Sequence, residues 1–323
     1  MPIRISVVIP TYKRPDLLIN CLNALCAQHL EKSAFEVIVV SDGPDHKTAQ
    51  LLTRWLKKKK INLTFLYTEE KKGPAGARNL GWLNARAPLI AFTDDDCLPE
   101  KNWLKSFLAL YDGQDLIAYT GKTIVPVKDT VNDFAANTAR LENAEFITAN
   151  CACTKMTLTH VGGFDERFKL AWREDSDLQF NLLSNQVPII KVQGAIVTHP
   201  VRDAAWGISV KEQKKGIYDA LLFKKFPDLY RSKVQAAPLF DYYLIILLWL
   251  ALLVSIAVEA VPAIMLTAIA LAVLLGKFLF NRLRNTSKSI DHVFEMLVTS
   301  MVIPFISVFW RMYGAIKFRV FFI

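Results

Sequence analysis

The sequence predicts an α/β domain wound around a parallel sheet, followed by a membrane-associated helical region, and three observations carry that expectation. Short β-branched or apolar runs alternate with segments of helical period through the first part of the chain. The run Leu89-Ile90-Ala91-Phe92 stops abruptly at Thr93 and three consecutive carboxylates, Asp94, Asp95 and Asp96, as a buried strand does when its carboxyl end opens onto a ligand. After Pro238 apolar residues dominate and charges gather at the ends of the apolar runs. We therefore expect residues 1–235 to form one soluble domain and residues 236–323 a membrane region.

The elements follow in order. Ile5 to Ile9 is a β-branched run ended by Pro10, and Pro15 to Gln28 places Leu17, Leu18, Cys21, Leu22 and Leu25 at helical spacing. The pattern repeats with Phe35 to Val40 and a helix through Leu51, Leu52, Trp55 and Leu56, then with Leu63 to Tyr67 and a helix after Pro74. Lys57 to Lys60 read as the solvated end of the second helix, where cations suit the dipole. Farther on, Gly162-Gly163-Phe164-Asp165-Glu166 reads as a helix end passing into a turn, and Trp172 to Leu178 opens a new helix. A last strand, Ala195 to Thr198, delivers His199 to a strand end.

The net charge of +9 raises the question of nucleic acid, but Lys211, Lys214, Lys215, Lys224, Lys225, Arg231 and Lys233 cluster just before the apolar region, so a membrane surface is the better partner and no nucleic acid is expected. Residues 239–259 and 261–280 are expected to form a hairpin of membrane helices broken at Glu259-Ala260-Val261-Pro262, with Lys277 snorkelling. The third apolar segment, about 292–316, is interrupted by Glu295, Pro304 and Arg311 and followed by Lys317 and Arg319. It either spans or lies in the interface, and the positive-inside bias favours the interface. No secretory leader precedes the first strand, so the soluble domain is expected in the cytoplasm. Five cysteines include Cys151 and Cys153 in a Cys-x-Cys pair, with no second pair at zinc-ligand spacing, and are expected to be reduced thiols.

Three strand ends carry polar loops: Thr11-Tyr12-Lys13-Arg14, Ser41-Asp42-Gly43 and Asp94 to Asp96. Their meeting along one sheet edge suits a nucleotide, and the acidic oxygens suit Mg²⁺ or Mn²⁺ shared with phosphates, although Asp is also a common turn residue. Asp42 either accepts from a base N–H or serves its loop. The stretch Lys72 to Gly81 is glycine-rich and opens a helix, resembling a phosphate cradle without matching either standard phosphate-loop fingerprint. Gly76 there serves close packing or ligand contact, while Arg78 is a fixed cation suited to a nucleotide edge. Glu174 and Asp175 at a helix start cap free N–H groups or supply a general base. His199 is either a metal ligand or an ordinary loop histidine.

The order of these motifs resembles family 2 glycosyltransferases, the large inverting group with the GT-A fold. The resemblance rests on Ser6 to Pro10 with Thr11 and Tyr12, on Ser41-Asp42-Gly43, on Gly76-Ala77-Arg78-Asn79-Leu80-Gly81, on Asp94 to Asp96 followed by Leu98-Pro99, on Asn150 and Gly162 to Asp165, and on Glu174-Asp175. It implies a membrane-anchored enzyme of bacterial type that moves one sugar from a nucleotide-diphospho-sugar to a hydroxyl of a glycan, glycolipid or lipid-linked acceptor. By that resemblance Pro10, Thr11, Tyr12, Arg14, Asp42, Gly76, Arg78, Asn79, Asp94 and Asp95 face the nucleotide sugar. Asp96 and His199 hold Mn²⁺ or Mg²⁺, Asp175 is the catalytic base, and Gly163, Phe164, Trp172 and Glu174 border the acceptor. The enzyme would sit on a cell inner (plasma) membrane, multi-pass, with its catalytic domain cytoplasmic and membrane lipids as partners.

The chain departs from the family where Ser41 replaces a common acidic residue and where no Gln-x-x-Arg-Trp motif follows Asp175, which argues against a processive synthase. Two other readings stand beside this one. A polyprenyl-phosphate glycosyltransferase would use an ionised phosphate acceptor that needs no base. A non-catalytic nucleotide-sugar-binding membrane protein would have no need of Asp175. A sugar-nucleotide pyrophosphorylase is excluded by the absence of a glycine-rich loop straight after the first strand.

Overall fold

All seven residues of β1 (Ile5–Thr11) and all seven of β2 (Phe35–Ser41) are buried, the burial expected of strands covered on both faces. The computed structural model describes residues 2–58, 61–127 and 131–322; Lys59 and Lys60, half of the expected cationic helix end, lie outside them. The remaining strands are β3 (Leu63–Tyr67), β4 (Leu89–Phe92), β5 (Leu98–Pro99), β6 (Ala118–Ile124), β7 (Cys151–Thr154) and β8 (Ile189–Thr198). The helices are α1 (Pro15–Cys26), α2 (His46–Leu56), α3 (Pro74–Leu83), α4 (Trp103–Leu108), α5 (Asp133–Ala139), α6 (Lys155–Val161) and α7 (Glu174–Ser184). They continue with α8 (Ile208–Glu212), α9 (Ile217–Lys225), α10 (Pro227–Lys233), α11 (Phe240–Ala257), α12 (Val261–Leu283) and α13 (Ile290–Phe318). The chain forms two compact units, one of Met1–Pro126 with Ala139–Val201, the other of Val127–Thr138 with Arg202–Ile323.

The first unit is built on one sheet of order β3-β2-β1-β4-β7-β6-β8-β5. The expected parallel arrangement holds from β3 to β4. Beyond β4 the sheet is mixed, because β7 runs antiparallel to both β4 and β6, and β5 runs antiparallel to β8. The short run Cys151-Ala152-Cys153-Thr154 carries no periodic signature that announces this reversal. Cys151 and Cys153 are free, buried thiols paired in register with Phe92 and Ile90.

Alternate residues of each strand face opposite cores. Ile5, Val7, Ile9, Val37 and Val39 pack with Leu18 and Leu22 of α1 and Trp103 and Phe107 of α4. Val8, Ile38 and Val40 pack on the other face with Ala75 and Trp82 of α3, Leu158 of α6 and Leu178 of α7. Gly81 brings α3 against β1 so closely that a Cβ there would stand 2.4 Å from Val8 Cγ1. This close seat aims the start of α3 at the carboxyl ends of β1 and β2.

In the second unit α11, α12 and α13 are each long and apolar enough to cross a membrane. The turn between α11 and α12 passes through Glu259 at φ 54°. At the opposite end of the pair Tyr242 packs edge-on against Phe278 with centroids 5.3 Å apart, and Lys277 pairs with Asp241 at 3.0 Å.

Candidate active site

The parallel half of the sheet delivers its polar loops to one edge. Thr11, the last residue of β1, donates to Asp95 Oδ2 at 2.7 Å, and Arg14 donates to Asp95 Oδ1 at 3.2 Å while standing 3.8 Å from Asp96. The β1 loop and the carboxylates after β4 therefore form one cluster. Pro10 pairs in register with Val40 inside the sheet, one residue short of the edge. Lys71 lies 4.3 Å above the ring of Tyr12, which borders Gly43.

Asp42 is buried, and its Oδ1 accepts from the backbone N–H groups of Lys72 and Gly73 at 2.7 and 2.8 Å. One carboxylate oxygen thus fixes the turn that opens α3, and neither bond uses Oδ2. Gly73 in that turn has φ 91°, and a Cβ would stand 2.7 Å from the Lys169 carbonyl, so the position admits only glycine. Gly76 lies against the Lys72 side chain. Asn79 is used up within the fold: it donates to the Phe164 carbonyl and Glu166, and accepts from Phe164 N–H and Trp82 Nε1. That clasp holds the loop of Gly163 (φ 67°) and Phe164, whose ring packs edge-on against Phe92 at 5.2 Å.

Arg78 joins the two halves of the site. Its Nη2 donates to Asp94 Oδ1 at 2.7 Å and its Nη1 to Glu174 Oε1 at 3.2 Å, while the side chain is almost wholly buried. Burial opposes its charge, but Asp94 and Glu174 outweigh that and hold the guanidinium firmly protonated. Glu174 is buried as well, and burial pushes its carboxyl up to about 7 against the pull of Arg78. The adjacent Asp175 is also raised by burial, with Ser176 N–H donating to its Oδ1 at 2.7 Å. Arg173 turns the chain into α7 at φ 72° and stacks its guanidinium 4.6 Å from the exposed Trp172 ring.

At the end of β8, His199 Nε2 stands 3.9 Å from Asp96 Oδ1. Asp96, Cys97 and His199 place a carboxylate oxygen, a thiol and an imidazole nitrogen within 4.8 Å of one another, all buried. Cys97 was not singled out from the sequence; its signal is only that it directly follows Asp96. Asn150, quoted among the motifs, accepts from Trp103 Nε1 and donates to the carbonyls of Lys122 and Ala195. It braces the sheet interior.

The fold and this edge of carboxylates and arginines define a sugar-transferring enzyme of GT-A architecture followed by apolar helices. The profile of glycosyl transferase family 2 matches residues 6–169, and the chain belongs to that family. The chain is 34% identical over 109 residues to glycosyltransferase AglE of Haloferax volcanii, a match covering 34% of this chain and 36% of that protein. It is 26% identical over 272 residues to chondroitin synthase of Escherichia coli, covering 71% of this chain and 39% of the other. The chain thus spans less than half the length of these curated relatives. Among solved structures it resembles the mannosyltransferase PcManGT of Pyrobaculum calidifontis in complex with GDP-Man and Mn²⁺, with a TM-score of 0.57 and 17% identity over 99% of this chain and 89% of that one. That likeness is one of fold.

The donor set around Asp96 fits a divalent cation. His199 Nδ1 is buried with no hydrogen-bond partner among the described residues, and oxygen and nitrogen donors at this separation suit such an ion. Burial and the nearby aspartates raise the Cys97 thiol well above its ordinary value, so Asp96 and His199 are the better ligands.

Proposed function

We propose that this chain moves a single sugar from a nucleotide-diphospho-sugar to a hydroxyl of a membrane-associated glycan or glycolipid, with inversion at the anomeric carbon. The observation that carries the proposal is the buried bridge Asp94–Arg78–Glu174, which joins the acidic edge after β4 to the start of α7 where Asp175 stands.

In this reading Asp42 Oδ2 and the loop of Tyr12 and Arg14 receive the nucleotide, and Asp94 and Asp95 face its ribose and phosphates. Mn²⁺ or Mg²⁺ held by Asp96 and His199 would neutralise charge gathering on the departing nucleoside diphosphate. Arg78 keeps Asp94 and Glu174 in place, so Glu174 acts as a positioning residue at the border of the acceptor site. Asp175 takes the proton of the acceptor hydroxyl, and its raised carboxyl makes it a stronger base than an ordinary aspartate. Because Asp175 must be ionised to do this, the acid limb of the rate profile should lie above the usual aspartate range. Gly163, Phe164 and Trp172 would border the acceptor, and the apolar helices would hold the enzyme at the cytoplasmic face of a plasma membrane.

Replacing Asp175 by Asn tests this directly. Turnover should fall by about 10²–10⁴-fold, the usual worth of a general base, with nucleoside diphosphate affinity retained. Unchanged turnover would contradict the assignment of the base and favour an acceptor phosphate that needs no deprotonation.

A further inference from the structure

In the second unit α13 is built inside out. Its buried stripe carries His292, Thr299, Ser300, Ser307, Arg311 and Gly314 alongside Met296, Ile303, Pro304 and Val308, whereas the large apolar side chains Phe294, Met301, Phe305, Phe309 and Met312 are exposed. The buried stripe lies along the cationic segment that precedes the hairpin. Gly207 N–H donates to Glu295, Lys214 lies 5.5 Å over the Trp310 ring, and Gly314 packs on the backbone of Ile217. Arg311 pairs with Asp219 at 3.3 Å, and Lys224 donates to the Phe318 carbonyl at 2.7 Å. α8, with Lys211 and Glu212, runs alongside α13 between the first two of these anchors.

We propose that α13 lies in the plane of the membrane, its exposed apolar face in the acyl–headgroup boundary of one leaflet of an anionic bilayer. Crossing about 30 Å of hydrocarbon takes about 20 residues. Of the residues 290–318, any such window places 299–309 in hydrocarbon. That would carry the Arg282–Asp133 pair, which Arg282 holds beside Thr299 and Ser300, into the core, where ionised groups are costly. The level of Arg282 gives the same answer. It stands in the last turn of α12, yet donates to Thr299 at 2.7 Å and Ser300 at 2.9 Å, well inside α13. A spanning helix antiparallel to α12 would by Thr299 have carried the chain about 13 Å from its start. In plane, Lys211, Lys214, Lys215, Lys224 and Lys225 stay at headgroup level, where anionic lipids attract them, and the apolar face meets acyl chains.

The inference rests on reading α11 and α12 as a membrane hairpin, and one experiment separates the two claims. Single spin labels at Phe294, Met301, Phe305 and Met312, and at Leu250 and Ile269 near the middle of the two hairpin helices, are introduced into the full chain carrying Cys26→Ser, the other native cysteines being buried. Label depth is measured by collision with oxygen and with a water-soluble nickel chelate, in phosphatidylethanolamine–phosphatidylglycerol vesicles. The four α13 labels should share one shallow depth while Leu250 and Ile269 read deep. Met301 and Phe305 about 10 Å deeper than Phe294, the rise of seven residues along a spanning helix, would overturn the in-plane placement with the hairpin intact. Shallow readings at Leu250 and Ile269 would remove the bilayer reading and this inference with it.

Discussion

The two edges of the parallel sheet treat buried charge in opposite ways. At the amino edge, Ser6 and Glu36 pair in register at the starts of β1 and β2. Ser6 donates to Glu36 at 2.7 Å, Arg86 N–H and Nε donate to the same carboxylate at 2.8 and 2.7 Å, and Ser6 Oγ accepts from Ala87. Burial alone would raise Glu36, but these donors hold it below the usual carboxylate range. At the carboxyl edge, Asp94, Asp95 and Asp96 crowd together, with Arg14 beside Asp95 and Asp96, Arg78 on Asp94 and His199 3.9 Å from Asp96. Burial and the neighbouring aspartates push Asp95 up to about 6 despite Arg14 and Thr11. His199 Nδ1 and Arg78 Nε are buried there without partners among the described residues. A charge network that closes on itself serves the fold; one left unbalanced is poised for a ligand with charge of its own.

The sharpest way to break the comparison is to cut the bridge between the halves of the acidic edge. Arg78→Met leaves Glu174 and Asp94 facing each other with the shared cation gone. The loss should be about 3–5 kcal/mol, read by thermal unfolding, and Glu174→Gln in the same chain should restore part of it. A loss below 1 kcal/mol would mean that the bridge is not holding the site. At the amino edge, Glu36→Ala strands Ser6 and the Arg86 N–H and should cost about 1–3 kcal/mol, leaving nucleotide affinity unchanged. Because the native Glu36 is depressed, its contribution should be complete above the unfolded value of about 4.3 and fade as pH falls through the lower native one.

Asp95→Asn should go the other way. Removing a disfavoured charge should stabilise the ligand-free protein at neutral pH by up to about 3 kcal/mol, the raised value taken against an ordinary aspartate, while weakening nucleotide binding. The native value is raised, so the penalty is full above about 6. It vanishes below about 3.9, where Asp95 is protonated in both states, and the gain should disappear there. Destabilisation by Asp95→Asn at pH 7 would show that this edge is balanced after all.

The carboxyl edge was legible in the sequence, while the closed network around Glu36 was not. The alternation of strands and helices, the stop of β4 at Asp94 and the glycine-rich opening of α3 are local signals, and the structure places each at the expected edge. What was not legible depends on residues far apart in the chain. The Arg78–Glu174 contact spans 96 positions, and Cys97 meets His199 across a similar distance. Asp42 and Asn79 carry backbone hydrogen bonds that no motif announces, and β7 enters antiparallel on four small residues without periodicity. The charges flanking α13 already favoured the interface over a span, but the level of Arg282 against Thr299 and Ser300 joins residues no local pattern connects.

The measurement that bears most directly on the account is the thermal stability of the purified chain with UDP, GDP, dTDP or CDP, each with and without Mn²⁺ or Mg²⁺, in the native protein and in Asp96→Asn. The account predicts stabilisation by one nucleoside diphosphate that needs the cation and is lost in Asp96→Asn, approaching about 2.7 kcal/mol at a hundredfold excess over Kd. No stabilisation by any of the four at millimolar concentration, or the same cation-dependent shift in Asp96→Asn, would contradict it.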